Sequence, residues 1–357
     1  MTTVDDIRER LTEIRPVGAR GDIVALGMVQ GIDTQDGAVV IHLAPAPMPQ
    51  GVLQGTIEEI RRAVGALDGV ASVDVRVKPT AQQTQSPYGE LGPIPGVRDI
   101  IAVASTKGGV GKSTVAANLA LAIQQRGRTV GLLDCDVYGP SMPLMLGISG
   151  RPRMGDDKRI FPVERFGLRV MSMGFFLDDS SPVIWRGPMV MGLVRQFLKD
   201  VIWGDLDVLV IDLPPGTGDA QLTLVQQVPL AGAVVVTTPQ DVALLDVERG
   251  IAMFEQVNTP VLGVVENMSY YECPKCGRHD DIFGSGGGDR IAERCGVPLL
   301  GRIPLVPAIR EGGDAGEPIV IADPKSAVTA TFLEVADKVL DGIEAQRAES
   351  AAPRIIG

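Results

Sequence analysis

The sequence predicts an α/β protein: a doubly wound, mostly parallel sheet preceded by a small α/β domain. Three observations predict it. From residue 98 onward, short and almost wholly apolar runs alternate with helix-length segments, the pattern of parallel strands covered on both faces. The first of these runs, residues 99–104, leads into a glycine-rich loop and then a helical stretch, the order strand, phosphate-type loop, helix. A second apolar run, residues 208–211, ends on Asp212 and a Pro-Pro-Gly turn, so two strand ends deliver chemistry to one crevice.

Composition bounds the rest. The 357 residues are 45% hydrophobic and 22% charged, ordinary for a globular chain long enough for two domains. The net charge of −11 argues against a general nucleic-acid or anionic-membrane surface. No stretch reaches the roughly 18 apolar residues of a membrane span, and the charged start, residues 1–10, lacks the apolar core of a signal peptide. The expected location is cytoplasmic, with neither nucleic acid nor membrane as partner. Four cysteines are too few for a disulfide scaffold, and in a reducing compartment a C-x-x-C pair reads as metal-binding or catalytic.

Residues 1–78 read as the first domain. Val4, Ile7, Leu11 and Ile14 recur at helical spacing. Strand-like runs at 23–28 and 38–43 flank the turn-forming Asp36-Gly37, and a helix over 52–67 and a strand over 71–77 complete the unit. The order is similar to a small iron–sulfur-assembly domain often fused ahead of Mrp-type ATPases. Where that family often carries a cysteine, this chain has Ala44-Pro45-Ala46-Pro47-Met48-Pro49, and its first cysteine is Cys135. The domain therefore offers no thiolate; His42 reads as structural, and partner docking or regulation is the expected role. Residues 79–97, rich in Pro, Gln, Ser, Thr and Gly, read as a linker.

The large domain spans 98–345. Its strands are expected at 129–134, 168–173, 207–213, 232–237, 261–265 and 298–303, with helices between them, for example at 242–257 and 326–343. Residues 346–357 read as a mobile tail.

The loop is Thr106-Lys107-Gly108-Gly109-Val110-Gly111-Lys112-Ser113-Thr114, after Ser105. Its glycines let backbone N–H groups turn inward, and the helix that starts behind it adds a partial positive charge, so residues 106–114 form a phosphate cradle for ATP. Lys112 would reach the β- and γ-phosphates and the Ser113 hydroxyl would hold Mg²⁺. The helix leaves over 114–126 with Leu119, Ala122 and Ile123 on one face. Thr106 replaces the first glycine of G-x-x-x-x-G-K-[ST], and Lys107 is a second lysine inside the loop. Lys107-Gly108-Gly109-Val110-Gly111-Lys112-Ser113-Thr114 resembles the deviant loop of the MinD, ParA, ArsA and nitrogenase iron-protein superfamily. The resemblance implies that Lys107 crosses a dimer interface to the partner's nucleotide, making a nucleotide-sandwich homodimer.

Two aspartates end the second strand. Asp134 reads as an outer-shell Mg²⁺ partner or a turn former; the resemblance gives Asp136 the role of orienting the attacking water. Asp212 reads as the metal-side carboxylate of a Walker-B-like strand, and residues 214–218 as a switch that senses the γ-phosphate. Lys107, Lys112, Asp136 and Asp212 are thus the candidate catalytic set. Asn267, after another strand, can donate to and accept from an adenine edge; the alternative is a turn cap.

Cys273-Pro274-Lys275-Cys276 admits several readings. No helix opens there as in a thioredoxin-like pair, a zinc ribbon needs two more ligands, and a functionless pair stays open. The remaining reading has two chains each supply Cys273 and Cys276, four thiolates that suit [4Fe–4S] or Zn²⁺; spacing does not separate these. Cys135 and Cys295 read as small buried residues. Residues 98–325 resemble the Mrp/ApbC family of iron–sulfur cluster carriers through segments 107–114, 134–141, 185–190, 212–219, 236–240, 265–269, 273–276, 283–288 and 301–305. The resemblance implies a bridging [4Fe–4S] cluster on Cys273 and Cys276, delivered to apo iron–sulfur proteins alongside assembly factors, with ATP hydrolysis coupled to loading or release. Trp185-Arg186-Gly187-Pro188 suggests only packing or dimer contact. The alternatives are a MinD- or ParA-like positioning ATPase, which leaves the cysteine pair unexplained, and a nitrogenase-like reductase whose cluster stays in place.

Overall fold

The computed structural model describes residues 3–16, 21–35, 37–43, 50–77, 92–137, 139–176, 187–216, 219–273 and 275–351. The chain divides into two compact units, Met1–Pro87 and Tyr88–Gly357.

In the first unit, α1 (Val4–Leu11) opens on a capping box: Thr3 Oγ accepts from Asp6 N–H, and the Asp6 carboxylate accepts from Thr3 N–H at 2.8 Å. Ile7 and Leu11 are fully buried and Ile14 nearly so, which the 3–4 spacing requires. The run 23–28 is a turn, not the expected strand. The Asp22 carboxylate accepts from the N–H groups of Val24 and Ala25 at 3.0 and 2.8 Å, and Gly27 closes the turn at φ +68°. Its apolar residues serve the core instead, with Ile23 and Met28 fully buried. The first strand is the more polar β1 (Val29–Gln35), antiparallel to β2 (Ala38–Leu43). Asp36 of the intervening turn lies outside the described residues. α2 (Gln50–Gly65) then carries the chain to β3 (Ser72–Val77), parallel to β2. β2 buries Val39, Ile41 and Leu43, the alternation of a sheet covered on one face. His42 lies opposite Gly31, with Nε2 2.9 Å from the Asp33 carboxylate.

Of the expected linker, 79–91 lie outside the described residues and Val97 already belongs to a strand. The second unit runs β4 (Val97–Ala104), α3 (Lys112–Gln125), β5 (Val130–Asp134), α4 (Met142–Met145) and the short strands β6 (Arg153–Met154), β7 (Ile160–Phe161) and β8 (Val163–Arg165). It continues with β9 (Leu168–Ser172), α5 (Gly187–Asp200), β10 (Leu206–Asp212), α6 (Asp219–Val225), β11 (Gly232–Thr237), α7 (Asp241–Gln256) and β12 (Val261–Glu272). It closes with β13 (His279–Asp280), α8 (Gly287–Cys295), β14 (Leu299–Leu305), α9 (Pro307–Ala315), α10 (Ile319–Ala322) and α11 (Ala327–Ala351).

Among the described residues the main sheet runs β13-β12-β11-β4-β10-β5-β9-β8, with β14 also on β12. β8/β9 and β12/β13 are antiparallel and the other pairs parallel. The chain leaves β4 toward β5 on one side and later returns past it to β11. The carboxyl end of β4 therefore lies where the winding reverses, the place such sheets bind ligands. Apolar cores cover both faces, one holding Phe197, Trp203 and Phe254, the other α3 and Phe332.

Two expectations change here. α3 is buried on more than the one face that carries Leu119, Ala122 and Ile123: residues 115–123 are all buried, because α10 and α11 cover its outer side. Asn118, caught in that interior, donates to Thr114 O at 2.9 Å and accepts from Val320 N–H at 3.2 Å. Residues 346–351, expected in a mobile tail, continue α11, and Arg347 pairs there with the buried Asp99. Residues 352–357 lie outside the described residues.

Candidate functional site

The end of β4 and the start of α3 frame the loop. Gly109 (φ +80°) and Gly111 (φ +78°) take left-handed backbone that other residues adopt only at a cost. Ser105 Oγ donates to Lys107 O at 2.9 Å, and Gly216 N–H donates to Ser105 O at 2.9 Å, tying the loop to the turn after β10. No side chain caps α3, so its first-turn N–H groups face the loop and suit an anion. The residues thus fit a nucleotide phosphate chain.

Lys112 is only 5% exposed. Its Nζ donates to Asp212 Oδ1 at 2.5 Å and to Ser113 Oγ at 3.3 Å, and lies 4.0 Å from Asp136 Oδ2. Ser113 Oγ donates to Asp212 Oδ2 at 2.6 Å. Asp212 sits opposite Asp134 on neighbouring parallel strands, both with no exposed surface. Burial pushes the Asp134 carboxyl up to about 7, with the Asp212 charge adding to it and three hydrogen bonds opposing. Those bonds come from Ser172 Oγ (2.8 Å), Asp136 N–H (3.0 Å) and Met142 N–H (3.3 Å). Burial also raises Asp212, against the pull of Lys112 and Ser113. Asp136 accepts from Gly139 N–H at 3.2 Å. Between the two aspartates, Cys135 is fully buried and its thiol is pushed far up, first by burial and then by Asp134, which makes it an inert core residue.

The structure thus gathers Lys112, Ser113, Asp134, Asp136 and Asp212. Lys107 points elsewhere within its own chain: Nζ lies 2.9 Å from Asp246 Oδ2 on α7. The Lys107 hydrogen bond holds the Asp246 carboxyl below the usual range. Asn267 touches the loop, donating from Nδ2 to Val110 O at 2.8 Å. Thr106 and Thr114 lie at the two ends of the cradle. Thr217, Gly218, Trp185 and Arg186 lie outside the described residues. Sequence reasoning missed Ser172 and Asp246: a serine closing a strand and an aspartate inside a helix carry no motif.

The cysteine pair sits on a hairpin that the sequence did not predict. β12 runs past the expected end at 265 to Glu272, then turns back into β13, with Tyr271 opposite Asp280 and Glu272 opposite His279. Gly277 N–H donates to Cys273 O at 2.8 Å, Cys273 N–H donates to Arg278 O at 2.9 Å, and Gly277 takes φ +66°. Cys273 is half-buried and Cys276 exposed. The N–H groups of Lys275 and Cys276, then the Cys276 side chain, hold the Cys273 thiol below its ordinary value, which favours the ligating thiolate. The Tyr270 ring stacks on His279 at 4.6 Å between centroids. Among the described residues, no group of three or more His, Cys, Asp or Glu gathers to hold a metal ion. Pro274 lies outside the described residues. Cys295, expected to be buried, is partly exposed beside the core.

The chain matches the family model described as NUBPL iron-transfer P-loop NTPase over residues 96–340. It belongs to that family. Residues 4–76 match a second model, that of an iron–sulfur cluster assembly protein. An iron–sulfur cluster carrier protein of Synechocystis is 47% identical over 95% of this chain and 98% of its own length. A carrier of the same description from Pseudomonas fragi is 51% identical over 78% of this chain and 97% of its own. The nucleotide-binding protein from Archaeoglobus fulgidus, solved in complex with ADP, superposes with TM-score 0.58 at 40% identity, covering 66% of this chain and 93% of its own. The cell division ATPase MinD of Pyrococcus furiosus superposes with TM-score 0.53 at 25% identity, covering 68% of this chain and 98% of its own. As a member of its family this protein is a P-loop NTPase, with the doubly wound fold its strand pattern predicts.

Proposed function

We propose that this protein is an ATP-hydrolysing carrier that holds a [4Fe–4S] cluster on Cys273 and Cys276 and delivers it to apo iron–sulfur proteins. The observation that carries the reading is the cysteine hairpin: two thiols at an exposed tip, one primed toward thiolate by backbone N–H groups, in a chain whose relatives are named iron–sulfur cluster carriers. Two thiols fill half of a four-thiolate donor set, so a second copy of the chain completes it and the cluster bridges a homodimer.

In this reading residues 106–114 cradle ATP, and Lys112 leaves Asp212 for the β- and γ-phosphates. Ser113, with Asp212 and Asp134 behind it, holds Mg²⁺, whose charge offsets that of the phosphates when bound. Asp136 orients the attacking water. Lys107 leaves Asp246 to reach the partner's nucleotide, and Asn267 borders the base. The division into a docking domain over 1–78, a linker and an ATPase domain from 98, and a cytoplasmic location, belong to the same proposal. No described helix is long and apolar enough to cross a membrane. A positioning ATPase fits less well: the apolar residues Phe332, Val335, Val339 and Ile343 of α11 are buried in the protein's own core, which leaves that face no membrane to bind.

The test is anaerobic reconstitution with iron and sulfide counting, on wild type and on Cys273→Ser with Cys276→Ser. About four of each per dimer, with the visible absorption of such a cluster, is the expected result. The double variant should lose the cluster and keep both its ATP affinity and its urea midpoint. Iron retained by it would place the cluster elsewhere, and zinc alone in wild type would end the carrier reading.

A further inference from the structure

The strand β12 leads into the cysteine pair, and Asn267 on that strand touches the nucleotide loop. We propose that Asn267 is a positioning residue that links the nucleotide loop to the cysteine hairpin through β12. The proposal rests on the reading of residues 106–114 as the ATP cradle and of Cys273 and Cys276 as the cluster thiols.

Four observations carry it. First, Asn267 is 6% exposed and donates from Nδ2 to Val110 O at 2.8 Å, in the middle of the loop. A Cβ placed on Gly111 would lie 2.2 Å from that same nitrogen, so the carboxamide is seated directly on the loop backbone. Second, the loop has bonds to exchange. Lys112 Nζ and Ser113 Oγ both donate to Asp212, and phosphate and Mg²⁺ compete for those two groups. Exchanging them moves the first turn of α3, to which Val110 and Gly111 are joined. Third, β12 is built to yield just beyond Asn267. Asn267 pairs with Ile303 and Tyr271 with Leu305, so four steps along β12 oppose two along β14. The residues between bulge out of the ladder, and Met268 takes a left-handed φ of +54°, a conformation disfavoured for its side chain. Fourth, the hairpin is braced as one piece: Tyr271 and Glu272 pair with β13 beyond the bulge, and Tyr270, the last residue of the bulge, stacks on His279 of β13. A shift at Val110 is therefore passed to Asn267, released at the bulge, and expressed as a movement of the turn that carries the two cysteines.

The test uses the full chain, reduced and free of cluster. Iodoacetamide alkylation rates of Cys273 and Cys276 are followed by peptide mass spectrometry, with and without saturating Mg-ADP or a non-hydrolysable ATP analogue. The partly exposed Cys295 is the internal reference. Wild type should change its Cys273 and Cys276 rates on the order of fivefold with nucleotide, the lower end of typical site–site coupling. Asn267→Ala and the near-isosteric Asn267→Asp, which lacks the N–H donor, should both lose the change at nucleotide concentrations shown by equilibrium dialysis to saturate each variant. Asp behaving as wild type would mean that Asn267 merely packs on Gly111, and would overturn the proposal. Tyr270→Leu, which leaves the loop untouched, should also lose the change; it decides the matter if the Asn267 variants fail to fold or bind. Nucleotide-insensitive rates in wild type, or sensitivity retained in Tyr270→Leu, overturn the linkage. Iron and sulfide counts on the same wild-type protein keep the two questions apart: a linkage without a cluster refutes the carrier reading only, and a cluster without the linkage refutes this inference only.

Discussion

Lys112→Met tests the buried charge arrangement most directly. Methionine keeps the aliphatic stem and removes the ammonium that lies 2.5 Å from Asp212 and 4.0 Å from Asp136. Asp212 then remains fully buried beside Asp134, with Ser113 the one side-chain donor left to it among the described residues. Breaking a buried pair from one side costs about 3–5 kcal/mol. An independent bound agrees: neutralising a carboxylate of ordinary pKa near 3.9 at pH 7 costs about 1.4 kcal/mol for each of about three pH units, roughly 4 kcal/mol. The sign follows from linkage. The variant's Asp212 binds its proton more tightly folded than unfolded, so the deficit is largest at neutral pH and shrinks as pH falls toward the unfolded value. Urea unfolding followed by the fluorescence of the buried Trp203 should show Lys112→Met less stable than wild type by up to about 4 kcal/mol at pH 7 and by up to about 1.5 kcal/mol at pH 5, upper limits because burial already raises Asp212 in wild type. ATP hydrolysis should be lost at both. A deficit under about 1 kcal/mol, or one equal at the two pH values, would refute the reasoning, since the lysine would then not be compensating a buried carboxylate.

Lys107→Ala should lower ATP turnover without shifting the urea midpoint, because its partly exposed, solvent-screened pair with Asp246 contributes little to stability; unchanged steady-state turnover would remove the sandwich role. Gly111→Ala forces a Cβ to within 2.2 Å of Asn267 Nδ2 at φ +78°, and should destabilise the protein by about 1–3 kcal/mol and weaken ATP binding, measured by calorimetry. Asp134, raised to about 7, favours the folded state when protonated, so it makes stability fall as pH rises from about 4 to about 7. Asp134→Asn should flatten that slope in urea midpoints, and an unchanged slope would assign the pH dependence to another group.

What the sequence determined alone was the part in which local chemistry coincides with tertiary role. The loop 105–114 needs its glycines wherever it is placed, and the apolar runs at 129–134, 207–213 and 232–237 have no stable alternative to a sheet covered on both faces. Their order implies the winding, and the winding implies the crevice. The cysteine spacing was likewise legible, though not the hairpin that presents it. Residues 266–272 look polar and loop-like in sequence, and become strand because their polar groups are satisfied there: Asn267 donates to the loop, Glu266 accepts from Gly288 N–H of α8 and lies 3.9 Å from Arg302 of β14, and Ser269 donates to Glu266 within the strand itself. The run 23–28 failed in the opposite sense: Asp22 capped it into a turn, a local bond outweighing an apolar pattern. The exposure of α3 and the end of α11 depended on what packs across them, which no periodicity encodes. The pairing of Lys107 with Asp246 and the contact of Asn267 with Val110 join residues far apart in the chain, the latter pair 157 positions apart. Such contacts are decided by strand order and helix placement, so only the tertiary structure assigns them.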